Sequence, residues 1–261
     1  MQPRGPPPYF TMRTAQWNDA VSVIDRVTLV LGAFRAEDTR LGVSELARRA
    51  NLPKSTVSRL VAELVEHRYL ERDGTGVRPG LRLFELGELA AQPKQLRTLA
   101  LATMADLHDA TAQTVALGIL QGDEVLVIGV IRGRNAPRLP FRVGGRLPAR
   151  STALGRALLA YSEADAAGRV AESDDPAQPG DLVAELARVR TSGLAYDPDD
   201  AGRGIRCVAS AILTSAREPI AAISVCGRAE SFDADQVAPA LRTAALGLGR
   251  SLPPRAVLWP L

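Results

Sequence analysis

The sequence has few of the residues that build disulfide scaffolds, metal centres and membrane spans. Its 261 residues include two cysteines, Cys207 and Cys226, which are far apart and outside any CxxC motif. This spacing argues against a zinc site and a disulfide scaffold and fits a reducing cytoplasm. No run of about 18 apolar residues occurs, so we expect no membrane span. The N-terminal MQPRGPPPYF lacks an apolar core, and we do not expect it to be a signal peptide.

Residues that commonly perform catalysis are also scarce. The two histidines, His67 and His108, fall on predicted helices, and no GxSxG motif, P-loop or metal-ligand spacing is present. We therefore predict no catalytic residue, no metal and no cofactor. The alternative is an enzyme that uses Cys207, Ser224 and Asp197 as nucleophile and acid–base partners. No catalytic sequence motif supports this alternative.

The positive charge is concentrated in one segment of the chain. Residues 40–82 hold nine Lys and Arg against five Asp and Glu, a net charge of +4, whereas the remainder holds 23 against 24. A surface that binds nucleic-acid phosphates needs a basic excess of this kind. Aromatic residues make up only 4% of the chain, so its cores must be built from aliphatic side chains.

The same segment contains a helix-turn-helix pattern, LGVSELARRANLPKSTVSRLVAEL, over residues 41–64. Ala47 is small where two helices must approach closely, and Val57 can plug the second helix onto the first. Asn51 stands at the turn, where a residue that tolerates positive φ is needed. Pro53 suits the first turn of the second helix.

The second helix has an apolar and a polar face. Its apolar stripe consists of Val57, Leu60, Val61 and Leu64, at helical spacing. The residues that we predict to contact DNA are Lys54, Ser55, Thr56, Ser58 and Arg59, at and after the N-terminal end that usually enters the major groove. An ordinary amphipathic helix with a solvated polar face is the alternative interpretation.

A predicted hairpin favours the DNA-binding interpretation. Two extended runs, Tyr69–Arg72 and Val77–Arg78, flank an Asp-Gly turn at residues 73–74. A hairpin directly after a recognition helix is a wing, and Arg72 and Arg78 could reach phosphates or the minor groove. The sequence therefore predicts a winged helix-turn-helix domain.

The pattern along the chain predicts five segments. They are a flexible N-terminal arm (1–18), the winged helix-turn-helix domain (19–80), a linker helix (81–93), a C-terminal domain (94–252) and a tail (253–261). In the first domain, Asn18 or Asp19 is predicted to cap a helix that runs to Phe34, and Ser44 to cap the next. The linker helix Leu81–Ala91, with Pro93 as its break, is apolar on more than one side, which suggests pairing with a second chain.

The C-terminal domain mixes helices with antiparallel strands, which predicts an α+β fold. The predicted strands are Thr114–Leu120, Glu124–Arg132, Leu139–Val143, Ile205–Thr214 and Pro219–Gly227. The predicted helices are Lys94–Thr111, one that begins near Ser151 with a hydroxyl cap, Glu163–Ala171, Asp181–Ser192 and Asp233–Leu252. Gly144-Gly145 is expected to turn the chain out of the third strand.

Five motifs in order resemble the IclR family of bacterial transcription regulators over about residues 21–252. They are SELARRANLPKSTVSRLVAEL, YLERDGTGVRPGLRLFELG, RVGGRLPARSTALGRALLA, GLAYDPDDAGRGIRCVASAI and PIAAISVCG. The resemblance implies a C-terminal effector-binding domain of GAF-like fold. It also implies a homodimer or dimer of dimers that binds a palindromic DNA operator and a small-molecule effector.

The resemblance also implies which residues contact the effector. They are Leu139, Phe141, Ala153, Leu154, Asp197, Ile205, Cys207, Ser224 and Cys226. Asp197 would repel an anion unless it meets a hydroxyl or an amine, and Cys226 replaces the usual Ser or another small residue. Because such regulators often govern the catabolism of small organic and aromatic acids, we expect a repressor that senses one. An activator with the same architecture, and a partner-binding protein that has lost its effector, remain alternatives.

Overall fold

The computed structural model describes residues 22–35, 37–89, 91–134, 141–162, 179–197 and 204–251. One structural unit ends at Ala90 and the other begins at Ala91. The predicted arm, Asn18 and Asp19 as caps, the predicted helix 163–171, Leu139 and the tail lie outside the described residues.

The first unit is a winged helix-turn-helix. Its elements are α1 (Val23–Gly32), α2 (Val43–Ala50), α3 (Lys54–Glu66), β1 (Leu70–Asp73), β2 (Gly76–Pro79) and α4 (Leu81–Glu88). Val30, Leu46, Val57, Leu60 and Leu70 form its core, which confirms the predicted apolar stripe of α3. Ser22, and not the predicted Asn18 or Asp19, caps α1, because its hydroxyl accepts a hydrogen bond from the Asp25 N–H at 3.1 Å.

The turn between α2 and α3 follows the prediction for Asn51, which adopts the left-handed conformation at φ 52°. The chain reverses there, and the Leu52 N–H donates to the Ala47 carbonyl at 3.1 Å. The prediction that Ser44 caps α2 was wrong: Gly42 is the cap residue, it makes no side-chain cap bond, and Ser44 lies inside the helix. Pairing of Leu41 with Val77 fixes the chain just before α2, and the helix begins earlier than the hydroxyl signal suggested.

The predicted wing is confirmed as a two-residue hairpin. Asp73 pairs with Gly76, and Gly74 occupies the turn at φ 57°, which glycine tolerates well. Leu41 exchanges two backbone hydrogen bonds of 2.9 Å with Val77, which ties the wing to the segment before α2.

Pro93 was wrongly predicted to break the chain after the linker helix. Helix α4 already ends at Glu88, and Pro93 is the third residue of α5 (Ala91–Thr111). Proline is tolerated in a first turn because the N–H that it lacks has no partner within the helix.

The second unit is built on a six-stranded antiparallel sheet, which confirms the α+β prediction. Its strands are β3 (Thr114–Gln121), β4 (Glu124–Ile131), β5 (Arg146–Pro148), β6 (Ala195–Asp197), β7 (Ile205–Leu213) and β8 (Pro219–Arg228), in the spatial order β5-β4-β3-β8-β7-β6. Its helices are α5, α6 (Ala153–Leu159), α7 (Pro179–Ser192) and α8 (Ala234–Ser251).

Helices cover both faces of this sheet. Ile223 and Val225 of β8 pack in the core that α5 and α8 cover. Their neighbours Ala222 and Cys226 belong to the opposite core, with α6 and α7. The alternation follows from the two-residue period of a strand.

Two short strands differ from the sequence prediction. The predicted strand Leu139–Val143 was wrong over its described residues, since Phe141 and Arg142 are irregular and the strand comes later, as β5. Gly144 and Gly145 therefore lead into a strand rather than out of one. Strand β6 was not predicted, because its three residues form a strand only through pairing with β7.

Candidate functional site

The polar face of α3 is open to solvent. Lys54, Ser55, Ser58 and Arg59 are exposed, whereas Thr56 is half-buried. Lys54 and Arg59 make no ion pair with any residue that the structure describes. Their charges are therefore available to an anionic partner, and the opposite side of the helix is fixed by the core.

The wing presents its two predicted arginines differently. Arg72 is exposed and has no ion-pair partner in the described part of the chain. Arg78 bonds to Glu71, with 3.1 Å between Nη2 and Oε2. The Leu81 N–H and the Arg78 guanidinium both donate to Glu71 and lower the pKa of its carboxyl. Arg72 therefore has no competing partner in the described residues, whereas Arg78 is paired with Glu71, the residue that accepts a hydrogen bond from the start of α4.

Arg40 is a wing residue that the sequence prediction missed. Its Nη1 lies 3.8 Å from Asp73 Oδ1, at the turn of the hairpin. The pairing of Leu41 with Val77 brings Arg40 there, and no local pattern encodes a contact over 33 positions. The only indication of Arg40 in the sequence was that it belongs to the basic segment 40–82.

A partly buried ion-pair network positions α2, and the sequence prediction also missed it. The Arg49 guanidinium lies 2.6 Å from Asp38 and 2.7 Å from Glu45, and it donates to the Ala33 carbonyl at 3.1 Å. Burial alone would raise the pKa of Asp38, but hydrogen bonds from Arg49 and the Arg35 N–H lower it. Arg48 and Arg49 lower the pKa of Glu45 to about 2. The network joins the end of α1 to α2, against which α3 packs.

In the second unit, most of the predicted effector residues gather on one face of the sheet. Register places Asp197 opposite Cys207, Cys207 opposite Cys226, and Ala209 opposite Ser224. Ser224 and Cys226 are buried, whereas Asp197, Ile205 and Cys207 are partly buried.

Helix α6 packs on β6, β7 and β8 and covers this face. The Thr152 hydroxyl caps it by accepting from the Gly155 N–H at 3.3 Å, as the predicted hydroxyl cap requires. Ala153 and Leu154 follow in the first turn and are buried in the core beneath α6, together with Phe141. The structure thus places all the predicted effector residues that it describes in or beside one core.

The cysteine spacing argued against a disulfide scaffold, but the structure contains one disulfide. Cys207 and Cys226 lie directly opposite each other on β7 and β8, with 4.2 Å between their Cα atoms, and form a disulfide. They are 19 positions apart in the sequence, and only the strand register makes them neighbours. Within the described residues there is no cluster of potential ligands that could hold a metal ion. In those ranges no helix has both the length and the apolar character of a membrane span.

Comparison with known proteins gives consistent matches over both units. Residues 89–250 match the family described as bacterial transcriptional regulator IclR C-terminal, and residues 23–74 match the IclR helix-turn-helix domain. The HTH-type transcriptional regulator XynR of Escherichia coli (strain K12) is 30% identical over 245 residues, covering 89% of this chain and 97% of XynR. The transcriptional repressor IclR of the same strain is 26% identical over 236 residues, covering 86% of each chain.

A solved structure matches as well. It is that of an IclR homolog from Microbacterium hydrocarbonoxydans, crystallised in complex with 4-hydroxybenzoate. It superposes with a TM-score of 0.80 at 29% sequence identity, covering 88% of this chain and 98% of the other. Both the order of the units and the architecture of this chain are therefore shared with known proteins.

Proposed function

The chain belongs to the IclR family of bacterial transcriptional regulators, and on that premise we propose that it represses a catabolic operon until a small organic or aromatic acid binds. Membership makes it a DNA-binding regulator. The proposal concerns whether the protein represses or activates transcription, and which class of ligand it binds. It is supported by the similarity to the repressor IclR and to the homolog that binds 4-hydroxybenzoate.

We propose that α3 reads the operator and that the wing contacts its backbone. The observation that carries this is the exposed face of α3, where Lys54 and Arg59 have no ion-pair partner among the described residues and the core fixes the helix. Long cationic side chains at such a position suit base edges and phosphates of the major groove. Arg72 on the wing would add a phosphate contact.

We propose that two or four copies bind a palindromic operator together. A single recognition helix reads only a few base pairs, and two-fold symmetric copies read two half-sites. Exposed apolar side chains on α4 and its C-terminal cap support self-association: Leu81, Phe84 and the cap residue Leu89 are 65%, 65% and 76% exposed. Large apolar side chains this exposed within one helix are typical of an association surface.

We propose that the second unit, in the cytoplasm, binds its acid without transforming it. The sheet face beneath α6 carries small side chains, Ala209 and Ser224 among them, as a site for a small ligand would require. Asp197 would accept a hydrogen bond from a ligand hydroxyl, and the Ser224 hydroxyl on β8 would donate to its carboxylate.

Replacing Arg59 with alanine should weaken operator binding by about 1–3 kcal/mol, roughly 5- to 150-fold in Kd. The measurement is a mobility shift on a duplex that the wild-type protein selects from a random-sequence pool. The control is Arg97→Ala, which removes an exposed arginine from α5 in the other unit and should leave the affinity within about twofold. Equal affinities of the two variants would overturn the role of α3.

Adding 4-hydroxybenzoate at 100 times its Kd should stabilise the protein by about 2.7 kcal/mol. For a unit of this size the midpoint of thermal unfolding should rise by roughly 5–10 °C. Benzoate, which lacks the hydroxyl that Asp197 would meet, should raise it less. If neither these nor other small organic acids shift the midpoint of a protein that still binds its operator, the acid-sensing part of the proposal is wrong. Conversion of the bound acid to product would revive the enzyme alternative.

A further inference from the structure

The facing cysteines Cys207 and Cys226 lie on the sheet face that we assign to the effector. Ser224, two residues before Cys226 on β8, has its Oγ 3.8 Å from the Cys226 sulfur. Asp197 is the register partner of Cys207 on the other side. We propose that this pair is a reversible thiol–disulfide site that changes the chemistry of the face according to the redox state of the cell. The effect on the ligand rests on the function proposed above.

The backbone holds the two cysteines in place whether or not their sulfurs are bonded. Strands β7 and β8 are paired without interruption from Ile205 and Arg228 to Ile212 and Ala221, and the pair lies inside this ladder. A Cα separation of 4.2 Å suits the close type of antiparallel pair, which is about 4.5 Å. Because the ladder does not depend on the sulfurs, both redox states can share one fold.

The two sulfurs differ in access, which assigns them different roles. Cys207 is partly exposed, whereas Cys226 is 2% exposed. A small-molecule disulfide therefore meets Cys207 first. The Cys207 thiolate attacks one sulfur of that disulfide, and one thiol leaves. The Cys226 thiolate then attacks the Cys207 sulfur of the mixed disulfide and releases the second thiol.

Over these two exchange steps the protein loses two thiol protons and two electrons, and the external disulfide takes them up to become two thiols. Reduction runs through the same steps in reverse. No cofactor or metal is needed, and the partner is a small-molecule disulfide or its thiol form.

The two states present different groups to a carboxylate ligand. The reduced pair offers two weak S–H donors between Asp197 and Ser224, and the oxidised pair offers none. A carboxylate beneath α6 is therefore expected to bind the reduced form more tightly. By linkage, the ligand favours reduction: a tenfold preference for the reduced form raises the midpoint potential by about 30 mV.

The test is a redox titration of the full-length protein in reduced and oxidised glutathione, with free thiols alkylated and counted by mass spectrometry. We expect both cysteines to be alkylated in reduced glutathione and both to be protected from alkylation in oxidised glutathione. The change should be reversible when the buffer is exchanged. Thiols that stay free in oxidised glutathione would overturn the proposal. A disulfide that the native protein retains in fully reducing buffer would also overturn it, because the bond would then be a permanent structural disulfide.

Amide hydrogen exchange shows whether the redox state changes the local stability of the elements that would face the ligand. Peptides of α6, β7 and β8 should exchange faster in the reduced than in the oxidised wild type by at least several-fold. Cys226→Ser should exchange identically in both buffers, and Cys207→Ser, at the more exposed position, serves if the first variant folds poorly. No difference between the states of the wild type overturns the regulatory role.

A third arm repeats the redox titration with saturating 4-hydroxybenzoate. A raised midpoint supports the coupling, and an unchanged midpoint with bound ligand overturns it. If the acid does not bind at all while the first two experiments give the expected results, the proposed effector class fails and the thiol–disulfide site stands.

Discussion

Replacing Arg49 with alanine should destabilise the winged-helix unit by about 2–4 kcal/mol. The variant leaves the Asp38 carboxylate, whose side chain is 10% exposed, without its cationic partner, and it leaves the Ala33 carbonyl without its 3.1 Å donor. A partly buried charge without a partner is strongly unfavourable. Since these bonds join α1 to α2, loss of the network should loosen the support of α3 and weaken operator binding as well.

The neighbouring arginine provides a matched control. Arg48 also binds Glu45, at 2.6 Å, but its side chain is 66% exposed, so Arg48→Ala should change stability by about 0–1 kcal/mol. Hydrogen exchange of α1, α2 and α3 in increasing denaturant measures both effects on the full-length chain. Equal protection in the two variants would show that the Asp38 contact contributes little.

The pH dependence gives a second readout of the same network. The pKa of Asp38 is lowered in the folded state, so its contribution to stability is present above its unfolded pKa of about 4 and is lost as the pH falls through the folded pKa. Wild-type protein should therefore lose stability in this unit below pH 4. In Arg49→Ala that loss should be smaller, because the variant has already lost the contribution.

Replacing Gly155 with alanine should destabilise the second unit by about 3 kcal/mol, with a midpoint of thermal unfolding lower by roughly 6–12 °C. A Cβ at this position of α6 would overlap the backbone of Ala149. That backbone cannot easily move, since Ala149 is fully buried and its N–H donates to the Asp123 carbonyl at 2.9 Å. Helix α6 would have to lift from β7 and β8, so ligand binding should fall too.

A second helical glycine gives the opposite expectation. Gly247 of α8 is exposed, and a Cβ there would have nothing within 4 Å. Gly247→Ala should therefore stabilise the unit by about 0.5–1 kcal/mol, because alanine lowers the backbone entropy of the unfolded chain. Calorimetric unfolding of Gly155→Ala and Gly247→Ala therefore separates the steric overlap at α6 from the general effect of a glycine-to-alanine change on stability. A Gly155→Ala protein as stable as the wild type would show that α6 can shift at little cost.

Sequence reasoning worked where a local rule governs the conformation. The turn at Asn51, the wing at Asp73-Gly74, the apolar stripe of α3 and the strands β3, β4, β7 and β8 all follow from short-range preferences or from a regular period. It failed for the short strands β5 and β6, whose three residues each carry no detectable period and form strands only beside β4 and β7. The cap signal at Ser44 was misread because the chain just before α2 is fixed by the pairing of Leu41 with Val77. Pro93 was misread as a break because proline is tolerated in the first turn of a helix.

Patterns that span a few residues were sufficient to predict the two architectures, the recognition helix with its cations, and the order of the units. Which distant residues meet depends on the folded chain. The fold joined Arg49 to Asp38, brought Arg40 to the wing, and set Cys207 against Cys226 across two strands. The physical reason is that a pairing register and a packed interface result from the whole fold. No local preference of Cys207 or Arg49 specifies a partner 19 or 11 positions away.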